Sequence, residues 1–135
     1  MPLRIKLPSK EKIIINGAVI ENAGEATTII LHNNVDILRR KEVMKEEDAI
    51  TPSRRVYYTL QCAYLFENER GKYLDLAMEF MGEYEEAAPS AKEVCDEIRT
   101  FISAEKFYDA LRKTTELLDH EAERLKEMGA LSPVE

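Results

Sequence analysis

The apolar period of this chain changes once, and that change governs what the chain can fold into. Up to Leu38 the apolar side chains arrive in short β-branched runs interrupted by turn residues, as strands require. From Thr51-Pro52 onward they recur every three to four residues, which lines one face of a helix. The pattern predicts an α+β fold: a small antiparallel β-sheet of four to five strands within residues 1–50, then a four-helix region over residues 51–135, the two forming one integrated domain.

The clearest local signal is Asn16-Gly17, set between Ile13-Ile14-Ile15 and Ala18-Val19-Ile20. Both turn residues tolerate positive φ, so a two-residue type I′ hairpin is predicted there. A second break at Asn22-Ala23-Gly24-Glu25 precedes the run Thr27 to Leu31, and His32-Asn33-Asn34 turns the chain into Val35 to Leu38. A sheet of roughly 40 residues buries too little apolar surface to stand alone. Docking on its own helices completes one domain, whereas docking on a second copy gives a homo-oligomer.

In the second half, Thr51 is placed to cap a helix that starts at Pro52, carries Val56, Leu60, Ala63 and Tyr64 on one face, and ends near Asn68. Tyr73, Ala77, Phe80, Met81 and Tyr84 mark a second helix, stopped at Ala87-Ala88-Pro89. Ser90 with Glu93 reads as a capping box for a third, faced by Val94, Ile98, Phe101 and Ile102. Phe107, Leu111, Leu118, Ala122 and Leu125 stripe a fourth, interrupted by Thr114 and Thr115, and a frayed tail is expected from Gly129 to Glu135.

Charge is distributed as unevenly as period. The net charge of −7 argues against an indiscriminate coat of nucleic acid, which needs a positive surface. Yet residues 1–66 carry a net +2 and residues 67–135 a net −9. The cations of the first half gather at Arg39-Arg40-Lys41, Lys45 and Arg54-Arg55, with Glu42, Glu46, Glu47 and Asp48 between them. No run approaches the about 18 apolar residues of a membrane span, and the start carries no secretory pattern. Two cysteines build no disulfide framework, so a cytoplasmic location is expected.

Catalytic groupings are missing. The two histidines, His32 and His120, are far apart, and the five glycines form no phosphate-binding loop. No closely spaced cysteines or histidines offer a zinc site, so neither metal nor cofactor is expected, and the chain is read as a non-enzyme. His32 is read as a loop residue and His120 as part of a solvated charge pair with Glu116 or Glu123. Cys62 and Cys95 read as small buried hydrophobes. The constellation with chemical content is Arg54-Arg55-Val56-Tyr57-Tyr58. Guanidinium groups clamp phosphates and tyrosine rings stack on unpaired bases, and i, i+3 and i, i+4 spacing brings Arg54 beside Tyr57 and Tyr58. The plain alternative puts Tyr57 in the core beside Leu60 and Tyr64, with both arginines paired to Glu46, Glu47 or Asp48.

The segments Asn16-Gly17-Ala18-Val19-Ile20-Glu21-Asn22, Ile37-Leu38-Arg39-Arg40-Lys41-Glu42-Val43-Met44 and Thr51-Pro52-Ser53-Arg54-Arg55-Val56-Tyr57-Tyr58 resemble the FlbT family, flagellum biosynthesis repressors of alphaproteobacteria. The resemblance runs from the Met-Pro-Leu start to Phe107-Tyr108-Asp109-Ala110-Leu111. It departs at Arg40-Lys41-Glu42-Val43, where a Glu-Lys-Asp-Ile sequence is expected, and the departure makes the junction more basic. What the resemblance implies is a non-catalytic post-transcriptional regulator that associates with the 5′ untranslated leader of flagellin mRNA and promotes its decay, working with a small partner, FlaF. On that footing Arg39, Arg40, Lys41, Arg54 and Arg55 become candidate phosphate contacts and Tyr57 and Tyr58 candidate stacking rings, with Lys10 and Lys12 widening the patch. The competing class is a protein-binding adaptor acting through flagellin, FlaF or a translation factor. Its candidate face is Phe107, Leu111 and Leu118, whose plain alternative is the internal core.

Overall fold

The computed structural model describes residues 2–129, so the frayed tail expected from Gly129 onward lies outside them except for Gly129 itself. The chain divides into two compact units, Met1–Val43 and Met44–Glu135.

The N-terminal unit holds five strands: β1 (Leu3–Leu7), β2 (Lys12–Ile15), β3 (Ala18–Glu21), β4 (Thr27–Leu31) and β5 (Ile37–Arg39). All pairings are antiparallel, but they form two ladders, β1 with β4 and β3-β2-β5, where a single sheet was expected. The reason is that each ladder has an apolar face of its own to bury. Ile5 and Leu7 from the first and Ile13 from the second make one buried cluster, packed by Ile15, Ile29, Leu31 and Ile37. Alternation along β1 puts Ile5 and Leu7 inside and leaves Arg4 and Lys6 exposed. The predicted hairpin is present: Ile15 pairs with Ala18, and Asn16 and Gly17 take φ of 50° and 82°. The second break is held by Asn22, whose amide donates to the carbonyls of Leu7 (2.9 Å) and Glu25 (2.8 Å).

The C-terminal unit contains α1 (Pro52–Leu65), α2 (Arg70–Ala87), α3 (Lys92–Ser103) and α4 (Phe107–Glu127), with short 3-10 turns between α1 and α2 and between α2 and α3. Its boundary falls before Met44 because Gln61 of α1 grips that residue from both sides. The Met44 N–H donates to Gln61 Oε1 at 2.7 Å, and Gln61 Nε2 donates to the Met44 carbonyl at 2.9 Å. Helix α1 is the centre of the unit, packed by α2 and α4, and α3 packs on α4. Val56, Leu60 and Ala63 are wholly buried, and each large apolar side chain so buried stabilises the fold by about 1.5–3 kcal/mol. Thr51 caps α1 as predicted, its Oγ1 accepting from the Arg54 N–H at 3.3 Å.

Two expectations are corrected. Helix α3 follows Ala91 with no side-chain cap, and Ser90 bonds His120 instead of closing a capping box. The buried face of α4 is Ala110, Leu111, Thr114, Leu117 and Glu121, so Ala122 and Leu125, both exposed, fall outside it. Thr114 belongs to the interior because its hydroxyl donates to the Ala110 carbonyl at 2.8 Å and needs no other partner.

Candidate nucleic-acid interface

In the N-terminal unit, β5 ends at Arg39, which sits opposite Ile13 of β2. The chain then bends through a 3-10 turn at Arg40–Glu42, closed by the Arg39 N–H donating to Glu42 Oε1 (3.0 Å) and the Val43 N–H donating to the Arg40 carbonyl (3.1 Å). The turn leaves Arg39, Arg40 and Lys41 exposed. With Lys6, Pro8, Glu11 and Lys12 they line a cavity of about 440 Å³ over Ile5, Leu7 and Ile13, which are 5% exposed or less. Its lining holds five basic residues and one acidic one. Among the described residues none of the five is in an ion pair, so their charge is available to an anionic ligand.

The second predicted set belongs to the helical unit. Arg54 is half-buried, and Arg55 is exposed with its guanidinium 6.0 Å from the centre of the Phe80 ring. Neither arginine pairs with Glu46, Glu47 or Asp48 among the described residues. Tyr57 retains 7% of its surface, which leaves little ring for a base, in line with the core alternative. Tyr58 is half-buried, and its hydroxyl is pushed up to about 12, first by burial and then by its hydrogen bond with the Cys62 thiol. Cys62 and Cys95 are both buried, as expected, and burial raises both thiols.

On α4, Phe107 is half-buried beneath the Arg70 guanidinium, 4.7 Å from its ring centre, while Leu118 is half-buried and Leu111 is 1% exposed. The same Arg70 donates to the Ala63 carbonyl at 2.8 Å, a cation at the C-terminal end of α1 where the helix dipole favours it. His120 is no solvated charge partner. Its Nδ1 bonds the Tyr84 hydroxyl at 2.7 Å and its Nε2 the Ser90 hydroxyl at 2.8 Å. Among the described residues no three His, Cys, Asp or Glu side chains gather as a metal site.

Sequence reading found Arg39, Arg40, Lys41 and Lys12 as a patch but missed Lys6, Glu11 and the apolar lining. Lys6 alternates with Ile5 and Leu7 like any solvated strand residue, and only the packing of two ladders brings it to the same cavity. No helix among the described residues is long and apolar enough to cross a membrane.

Comparison with known proteins bears on all of this. The family model described as "Flagellar protein FlbT" matches residues 3–125. A "Probable flagellum biosynthesis repressor protein FlbT" of Rhodopseudomonas palustris (strain TIE-1) is 37% identical over 125 residues, covering 93% of this chain and 98% of the relative. One of Caulobacter sp. (strain K31) is 34% identical, covering 93% and 97%. The "Flagellum biosynthesis repressor protein FlbT" of Caulobacter vibrioides (strain ATCC 19089) is 32% identical, covering 93% and 90%. No solved structure matches the chain.

Proposed function

The chain belongs to the FlbT family, and on that premise we propose that it represses flagellum biosynthesis by associating with the 5′ untranslated region of flagellin mRNA and promoting degradation of the message. The observation that carries the RNA contact is the cation cluster at the cavity: Arg39, Arg40 and Lys41 exposed on one turn, joined by Lys6 and Lys12. Guanidinium and ammonium groups bind phosphate oxygens, and the counterions they release drive association. Arg54 and Arg55 are further phosphate contacts, and Tyr58, which is half-buried, is the candidate stacking ring. Decay of the message follows from exposing or occluding the leader to a cellular nuclease.

The test is binding of a labelled flagellin leader by the full-length protein across a salt series. If about four phosphates are neutralised, the slope of log affinity against log salt is near −3. An affinity unchanged in a folded variant carrying Arg39→Ala, Arg40→Ala and Lys41→Ala removes the cluster from the reading.

A second reading, the protein-binding adaptor, is favoured by the net −9 of residues 67–135 and by Phe66, Met78 and Leu125, which remain 47%, 40% and 38% exposed. Its partners are FlaF and flagellin. Co-purification of either with this chain after nuclease treatment supports it, and loss of the complex with the RNA refutes it.

A further inference from the structure

The cavity beside the 39–41 turn has a composition that a bare phosphate surface does not need. Pro8 is exposed on its wall, Ile5, Leu7 and Ile13 lie beneath it at 5% exposure or less, and one acidic residue, Glu11, lines it among five basic ones. Phosphate groups resist transfer to an apolar lining because they lose water there without gaining partners. The uncharged ring of a base has the opposite preference. We propose that this cavity seats one unpaired nucleobase of the bound RNA and that Glu11 accepts a hydrogen bond from the base's exocyclic amino group; the proposal rests on the RNA-association reading above.

The division of labour follows from the chemistry. At about 440 Å³ the cavity falls in the range of small-ligand pockets, roughly 300–1,000 Å³. Arg40, Lys41 and Lys12 at its edge meet the phosphates on either side of the seated nucleotide. The planar guanidinium of Arg39, which stands opposite Ile13, offers a flat surface for the ring. Glu11 repels phosphate, and among the described residues it is in no ion pair that would cancel its charge. A carboxylate accepts only, so it discriminates between bases that differ by an amine and a carbonyl. Cytosine and uracil are that pair: the same ring, with an amino donor on one and an oxygen acceptor on the other. Duplex RNA keeps its bases stacked and is excluded from the cavity.

The experiment measures fluorescence anisotropy of the full-length protein with short oligocytidine, oligouridine, an abasic oligomer of the same length and a duplex, all at one salt concentration. Oligocytidine is expected to bind about fivefold or more tighter than oligouridine, with the abasic and duplex forms weaker still. Glu11→Ala brings the cytidine and uridine affinities together while both remain salt-dependent. If Glu11→Ala fails to fold by circular dichroism, Glu11→Gln serves, and it narrows the ratio because the neutral amide also presents a donor to uracil. Equal, salt-dependent binding of all four probes overturns the base pocket and leaves the RNA reading standing. Absence of binding to any probe and to the flagellin leader overturns both. Binding of a polyglutamate peptide with no binding of the RNA probes or the leader at the same salt overturns both in favour of an acidic protein partner.

Discussion

The carboxylate of Glu121, near the end of α4, accepts hydrogen bonds from the Ser53 hydroxyl and, at 3.4 Å, from the Ser53 N–H in the first turn of α1. The same carboxylate accepts from the hydroxyl of Thr51, the capping residue. An acidic side chain from the last helix therefore completes the cap of the first, where orphan N–H groups and the helix dipole favour negative charge. The contact is buried, with Glu121 at 7% and Ser53 at 0% exposure, and it ties together segments far apart in sequence.

Removing that carboxylate strands a buried hydroxyl. Glu121→Ala is expected to lower the unfolding free energy of the helical unit by about 2–3 kcal/mol, and Glu121→Gln by less. Urea denaturation read by helical circular dichroism measures the loss. In a double-mutant cycle with Ser53→Ala the two effects are expected to be non-additive by about 1 kcal/mol; strict additivity means the residues act separately.

The hairpin depends on Gly17, whose φ of 82° few L residues adopt without strain. Gly17→Ala is expected to cost about 1–2 kcal/mol, a penalty confined to the N-terminal unit. Amide exchange at Ile13 and Ile14 reads it directly, as protection that falls by about tenfold or more. Asn16→Gly is expected to be nearly silent by the same measurement.

Cys95 gives the helical unit an alkaline limit. Burial foremost, with Glu85 adding to it, raises this thiol from its ordinary 9.0 to about 11. The unfolded chain then gives up the proton at a lower pH than the native one, so ν is larger in the native state and stability falls as pH rises. The contribution is intact below about pH 9 and disappears as pH passes through about 11. Thermal unfolding followed from pH 8 upward is expected to show this decline, and Cys95→Ala is expected to flatten it. An unchanged slope in that variant assigns the decline to other groups, Tyr58 first among them.

At the cavity, replacing Arg39, Arg40 and Lys41 by alanine together is expected to weaken flagellin-leader binding by at least tenfold and to make the salt slope shallower by about 2, since each single-strand phosphate contact contributes about 0.7. Weaker binding with an unchanged slope points to lost shape instead of lost charge.

Several elements were legible because their cause is local. The Asn16-Gly17 turn is written in two residues with positive φ, and the start of α1 in Thr51-Pro52, since both depend on backbone preferences that neighbours do not alter. The cations at 39–41 were visible as a run. What stayed hidden depended on partners distant in the chain. Thr114 and Glu121 break an apolar stripe, so a search for apolar spacing turned the face of α4 toward Ala122 and Leu125. Ser90 had the spacing of a cap, yet its hydroxyl bonds His120 on another helix.

The sequence by itself determined the α+β order, the hairpin, the four helices and the split of charge between basic and acidic portions, because periodicity, turn chemistry and charge are properties of short segments. Only tertiary structure decided that five strands form two ladders, that Lys6 and Glu11 share a cavity with Arg39, Arg40 and Lys41, and that Glu121 is interior. Those outcomes turn on which apolar faces meet. A buried polar group is tolerated only where folding brings it a partner, as Glu121 brings one to Ser53.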